Sequence, residues 1–219
     1  MNIKCYLEIG SKRTFAGALD WPGWSRSGRD QASAFQALLD YGPRYAAAVG
    51  SARLGFDVPA DPSALVLVER LKGDMTTDFG APGRIPAADF HPVDDTELRR
   101  LQSILKAAWR TYGRIQAGAK GSALRSGPRG GGRDLQKMSE HVLGGEHAYL
   151  RRLGINLLIL EGTPVDEQLA EYEKETLKAI AASAHGELPQ RGPRGADYWP
   201  ARYFVRRSAW HILDHAWEI

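Results

Sequence analysis

The sequence predicts an α+β protein in two parts: a small N-terminal ββαβ layer followed by a four-helix bundle. Three observations lead there. Residues 3–9 alternate apolar and polar side chains, the period of a half-buried strand. Residues 73–92 are punctuated by Gly73, Gly80, Pro82, Gly83, Pro86 and Pro92 and show little periodicity. From Asp94 onward, apolar residues recur at three- and four-residue steps in four separate segments.

The first strand is Ile3 to Ile9, with Ile3, Cys5, Leu7 and Ile9 on one face and Lys4, Tyr6 and Glu8 on the other. Gly10 to Arg13 is turn material, so Thr14 to Trp21 returns as a hairpin partner, and Pro22-Gly23 stops it. A helix follows from Arg29 through Ala34, Phe35, Leu38 and Leu39. Gly42-Pro43 ends or kinks it, and Arg44 to Val49 resumes it. Asp57 to Pro62 is loop. Ala64 to Arg70 is a near-continuous apolar run, which predicts a strand buried on both faces. The layer thus occupies residues 1–73, and residues 74–93 read as a linker.

The bundle occupies residues 94–219. Its first helix opens on Asp94-Asp95-Thr96-Glu97, where acids favour the positive end of the helix dipole. Leu98, Leu101, Leu105, Ala108, Tyr112 and Ile115 carry its stripe. The second runs from Asp134 to Leu153, closed by Gly154. The third starts at Thr163-Pro164-Val165-Asp166 and is carried by Leu169, Tyr172, Thr176, Leu177 and Ile180. The fourth ends the chain, from Tyr198 to Ile219. Four helices with one apolar stripe each are what a bundle needs.

Composition narrows the function classes. No apolar run is long enough to span a membrane, which argues against a membrane protein. The single cysteine, Cys5, rules out an internal disulfide, and with no signal peptide the expected compartment is the cytoplasm. The net charge is only +3, and no aromatic series accompanies the basic residues, so nucleic-acid binding is not expected. A small-molecule substrate and a homodimer are the expected partners.

The residues that carry chemistry are histidines. His211 and His215 lie about 40° apart on the last helix, one turn along, within or beside its apolar stripe. Two imidazoles at that spacing can hold one metal ion. Arg206, Arg207, Trp210 and Trp217 fall on the outer side. On the second helix His141 sits at the edge of the inward face, with Gly145 one turn on leaving room beside it, whereas His147 falls toward solvent. His91 and His185 belong to loops. His141, His211 and His215 are therefore the candidate ligands. Three imidazoles leave one to three positions open, the mark of a catalytic or substrate-binding ion. Imidazole suits zinc, nickel, iron or manganese without choosing among them.

Around them, Glu218 lies about 20° from His211 and is either its orienting carboxylate or a surface acid. Tyr112 is either a core tyrosine or a proton donor to the site. Arg125, Arg129 and Arg133, interleaved with Gly130-Gly131-Gly132, form either a solvated loop or a clamp for an anionic cofactor or carboxylate.

Met138-Ser139-Glu140-His141 with Glu146 and Tyr149, and the closing Trp210-His211-Ile212-Leu213-Asp214-His215-Ala216-Trp217-Glu218, resemble the DinB/YfiT-like family of metal-binding four-helix bundles over residues 94–219. The resemblance implies a divalent metal on His141, His211 and His215. It also implies a thiol-dependent S-transferase or small hydrolase, with a low-molecular-weight thiol as cofactor. Residues 1–73, through Asp20-Trp21-Pro22-Gly23, Ser27-Gly28 and the helix from Arg29, resemble the HicB-like αβ domain. That implies a second functional class, a non-catalytic binding or regulatory protein whose first part contacts a partner while the bundle is a structural or sensing module.

Overall fold

The computed structural model describes residues 2–121, 124, 134–158, 162–193 and 195–219. It is a mixed α+β structure that divides into two compact units, Met1–His91 and Pro92–Ile219.

The first unit carries a four-stranded sheet in the order β3-β2-β1-β4. β1 (Ile3–Ile9) pairs antiparallel with β2 (Thr14–Ala18), and β2 pairs antiparallel with β3 (Ser25–Gly28). The chain then forms α1 (Gln31–Asp40) and α2 (Gly42–Val49) and crosses over to β4 (Leu65–Lys72), which runs parallel to β1. α1 begins where it does because Asp30 accepts from the Ser33 N–H, and Ser33 returns a contact to the Asp30 N–H, a capping box. α1 lies against β2 and β3. Trp21, Trp24, Tyr45 and Phe56 pack edge-on or stacked nearby. Their polar tips are satisfied: the Trp24 indole donates to Leu38 O at 2.8 Å and the Tyr45 hydroxyl to Pro22 O at 2.8 Å.

Three expectations are corrected here. The layer has a third early strand, β3, so ββαβ becomes βββααβ. Ser25-Arg26-Ser27-Gly28 carries no apolar alternation and is held by pairing with β2 instead. The run 64–70 is not buried on both faces. β4 is an edge strand, and Val66 and Val68 are exposed. Finally, residues 74–91 are not a linker but part of the first unit. There α3 (Met75–Phe79) is capped by Asp74, and the buried carboxylate of Glu8 accepts from the Thr77 hydroxyl and from the N–H groups of Gly83 and Arg84. Gly and Pro in this segment serve tight turns around a buried acid rather than slack.

The second unit contains α4 (Asp95–Gly118), α5 (Leu135–Arg152), α6 (Val165–Ala184) and α7 (Ala201–Ala216). α7 packs on α4, α5 and α6, and α6 on α4 and α5, so the four helices share one core. Asp94 and Asp134 cap α4 and α5 by accepting backbone N–H groups of their first turns. Gly154 ends α5 at φ +88, where its N–H bonds to Arg151 O and that of Ile155 reaches back to Leu150 O. Two wheel placements are corrected. α5 packs on α6 as well as α7, so the side assigned to solvent is covered and His147 is buried, 5.6 Å from the Tyr172 ring. α7 has almost no outer face: Arg206, Arg207 and Trp210 are all buried.

Candidate metal centre

The centre is built on the facing surfaces of α5 and α7. His141, His211 and His215 each offer a ring nitrogen, and these atoms all lie within 4.8 Å of one another. The ring centroids are 4.7 Å apart for His211 and His215, 4.8 Å for His141 and His215, and 5.8 Å for His141 and His211. Nitrogens bound at about 2.0–2.1 Å to one tetrahedral ion stand roughly 3.4 Å apart, so closure on an ion needs only side-chain adjustment. His211 and His215 are buried, while His141 is exposed and marks the side open to solvent.

Gly145 makes the approach geometrically feasible. A Cβ at this position would stand 2.5 Å from His211 Cε1 and 3.0 Å from Nε2. Only a residue without a side chain lets the His211 ring lie on α5 one turn from His141.

Each buried histidine is oriented by a carboxylate. Glu146 Oε1 lies 2.8 Å from His211 Nδ1, and Glu218 Oε2 lies 2.8 Å from His215 Nδ1. An ionised carboxylate accepts, so with either acid ionised the Nδ1 beside it carries the proton and the Nε2 lone pair of that ring is left for a ligand. This second layer is the usual companion of metal-bound imidazole. Glu146 also accepts from the Tyr172 hydroxyl at 2.9 Å and from the Ser208 hydroxyl. Complete burial pushes its carboxyl up to about 7, against the pull of those two hydroxyls and of the nearby Arg207 guanidinium.

The predicted site residues separate accordingly. The three histidines come together. Glu218 orients His215 rather than His211. Tyr112 is buried, its hydroxyl lies 3.3 Å from Ser139 Oγ, and burial raises its pKa. It lines a cavity of about 190 Å³ that Glu146 and Glu173 also line and that none of the three histidines reaches. Arg125, Arg129 and Arg133 lie outside the described residues. The functional residue with no role assigned from sequence is Glu146. Its signal was present: an acid about 140° from His141, at the border of the stripe of Met138, Val142 and Tyr149. Also unassigned was Tyr149, whose ring centroid lies 5.2 Å from that of His211. No family model, no curated protein and no solved structure matches the chain.

Proposed function

We propose that the second unit is a DinB/YfiT-type metal-binding bundle and that the protein is a metal-dependent enzyme acting on a small molecule, a thiol-dependent S-transferase or a small hydrolase. In this reading the first unit is a HicB-like accessory layer. The observation that carries the reading is the pair of carboxylate–imidazole contacts, Glu146 to His211 and Glu218 to His215. A histidine cluster that served only packing would have no need of two acids, each within hydrogen-bond reach of one of its imidazoles.

The donor set fits a borderline divalent ion such as zinc, nickel or iron better than the harder manganese. His141, His211 and His215 would hold it, and it would supply Lewis acidity to a thiol or water. The chain's own residues do the rest. Glu146 and Glu218 fix the tautomers, Gly145 sets the separation of the helices, and the exposed His141 leaves one side for substrate. Tyr112 is placed elsewhere, and no proton step is assigned to it.

The test is elemental analysis of protein purified without a histidine tag, beside His211→Ala. About one equivalent of metal in the wild type, lost in the variant while the helical spectrum remains, is the expected result. Chelation of a catalytic ion shifts the Tm little and removes turnover against a panel of thiols and electrophiles, because the core does not need the ion to fold. A Tm that collapses on chelation, with no turnover across the panel, would instead favour the non-catalytic reading with a structural metal.

A further inference from the structure

Two rows of residues face each other along the α5–α7 contact. On α5 they are His141, Gly145 and Tyr149, at four-residue steps. On α7 they are Arg207, His211 and His215, at the same steps. His141 meets His215, and Gly145 meets the ring of His211. Tyr149 lies against His211, with the Arg207 guanidinium carbon 4.9 Å from its ring centre. Arg207 thus stands one turn, about 6 Å along the helix axis, from His211.

This arginine is 8% exposed, and its Nη1 is buried with no hydrogen-bond partner. It is flanked by Tyr149 and, at 4.5 Å, by the ring of Trp210. No carboxylate pairs with it among the described residues. Glu146 feels its charge, but both Glu146 oxygens are engaged by His211, Tyr172 and Ser208. A guanidinium cannot shed its proton, and a buried cation without a counter-charge is costly. Stacking on two rings offsets only part of that cost. Tyr149 is only half-buried, so the α5–α7 contact meets solvent at that ring.

We propose that Arg207 is the anchor for the carboxylate of a small metal-seeking ligand: the substrate class is a thiol with a carboxylate a few bonds from its sulfur, sulfur toward the histidines and carboxylate on the arginine fork. This rests on the three-histidine reading and adds the anionic half of the ligand. Arg207 supplies the planar, two-point donor geometry that carboxylates match. The ring of Tyr149 touches both halves and sets their separation.

The experiment uses the full chain loaded with cobalt(II), whose visible spectrum reports both the ion and thiol binding. The probes are mercaptopropionate and mercaptobutyrate with terminal thiols, each against the mercaptoalcohol of equal length. The acids should bind the wild type about tenfold tighter than the alcohols. Arg207→Met should erase the difference and leave the cobalt spectrum unchanged. No preference in the wild type, or a preference that survives in Arg207→Met, overturns the proposal. Should Arg207→Met fail to fold, Arg207→Lys carries the comparison. Loss of the fork should reduce the preference several-fold, and an undiminished preference overturns the proposal. If cobalt does not bind, the three-histidine reading fails on its own account, and butyrate against butanol at fixed ionic strength decides for Arg207. A rise in Tm with butyrate alone, absent in the variant, supports the anchor; equal shifts overturn it.

Discussion

Gly145 and its neighbour Gly144 provide a matched pair for testing the centre. Both lie within α5, where alanine would ordinarily add about 0.5–1 kcal/mol of helix stability. Beyond Gly144 a Cβ meets nothing within 4 Å, whereas at Gly145 it meets the His211 ring. Gly144→Ala should therefore raise the urea midpoint and keep metal affinity. Gly145→Ala should push His211 off its position and lower metal affinity at least about tenfold, with the helical spectrum intact. Equal metal affinity in the two variants would show that His211 is not a ligand. At this scale the sequence revealed a good deal: the spacing of His211 and His215, the inward edge position of His141 and the room at Gly145 all follow from 100° per residue. Glu146 was harder to place. Its role depends on which acid reaches which ring, and that is set by the approach of α5 to α7 rather than by either helix alone.

At the scale of elements, a helical wheel presumes one buried side, and the places where it misled are helices with more than one neighbour. α5 touches α6 and α7, so His147 is covered; α7 touches three helices, so its arginines and Trp210 are covered too. β3 shows no apolar alternation because strand pairing does not require apolar residues, and the apolar run of β4 suits an edge strand as well as a buried one. On α6, Glu173 has a testable consequence. It lines the 190 Å³ cavity with Trp109, Tyr112, Glu146 and Asp166, and burial raises its carboxyl from 4.5 to about 7, the Arg110 charge opposing only part of this. The folded state thus holds a proton that the unfolded state has released. The associated stability is full below about pH 4.5 and is lost as the pH rises to about 7. Glu173→Gln cannot lose a proton, so its urea midpoint should fall less between pH 5 and pH 8. Because Glu173 is partly exposed, its gain over wild type at pH 8 should be about 1–2 kcal/mol. Parallel pH profiles for the two proteins would show that Glu173 is solvated rather than buried.

At the scale of the whole molecule, the second unit begins at Pro92, close to where the sequence changes from strand alternation to a helical period. The end of the first unit is not legible in the sequence because Gly and Pro mark turns and linkers alike, and only the partner of a buried charge tells them apart. Glu8 is that charge. It sits in β1, is fully buried, and takes three donors from residues 77, 83 and 84. Asp78 adds a further tie by accepting from the N–H groups of Ser11 and Lys12 at the β1–β2 turn. A fragment of residues 1–73 would keep all four strands and lose every one of these donors. An uncompensated buried carboxylate costs on the order of 3–5 kcal/mol, a large share of what a domain of this size has in reserve. Residues 1–91 should therefore give a cooperative thermal transition, and residues 1–73 should not. Replacing Glu8 by Gln removes the charge but keeps an acceptor, so Glu8→Gln should partly restore folding to the shorter fragment. If residues 1–73 melt as cooperatively and at the same temperature as residues 1–91, the segment 74–91 contributes nothing to the unit, and the linker reading returns.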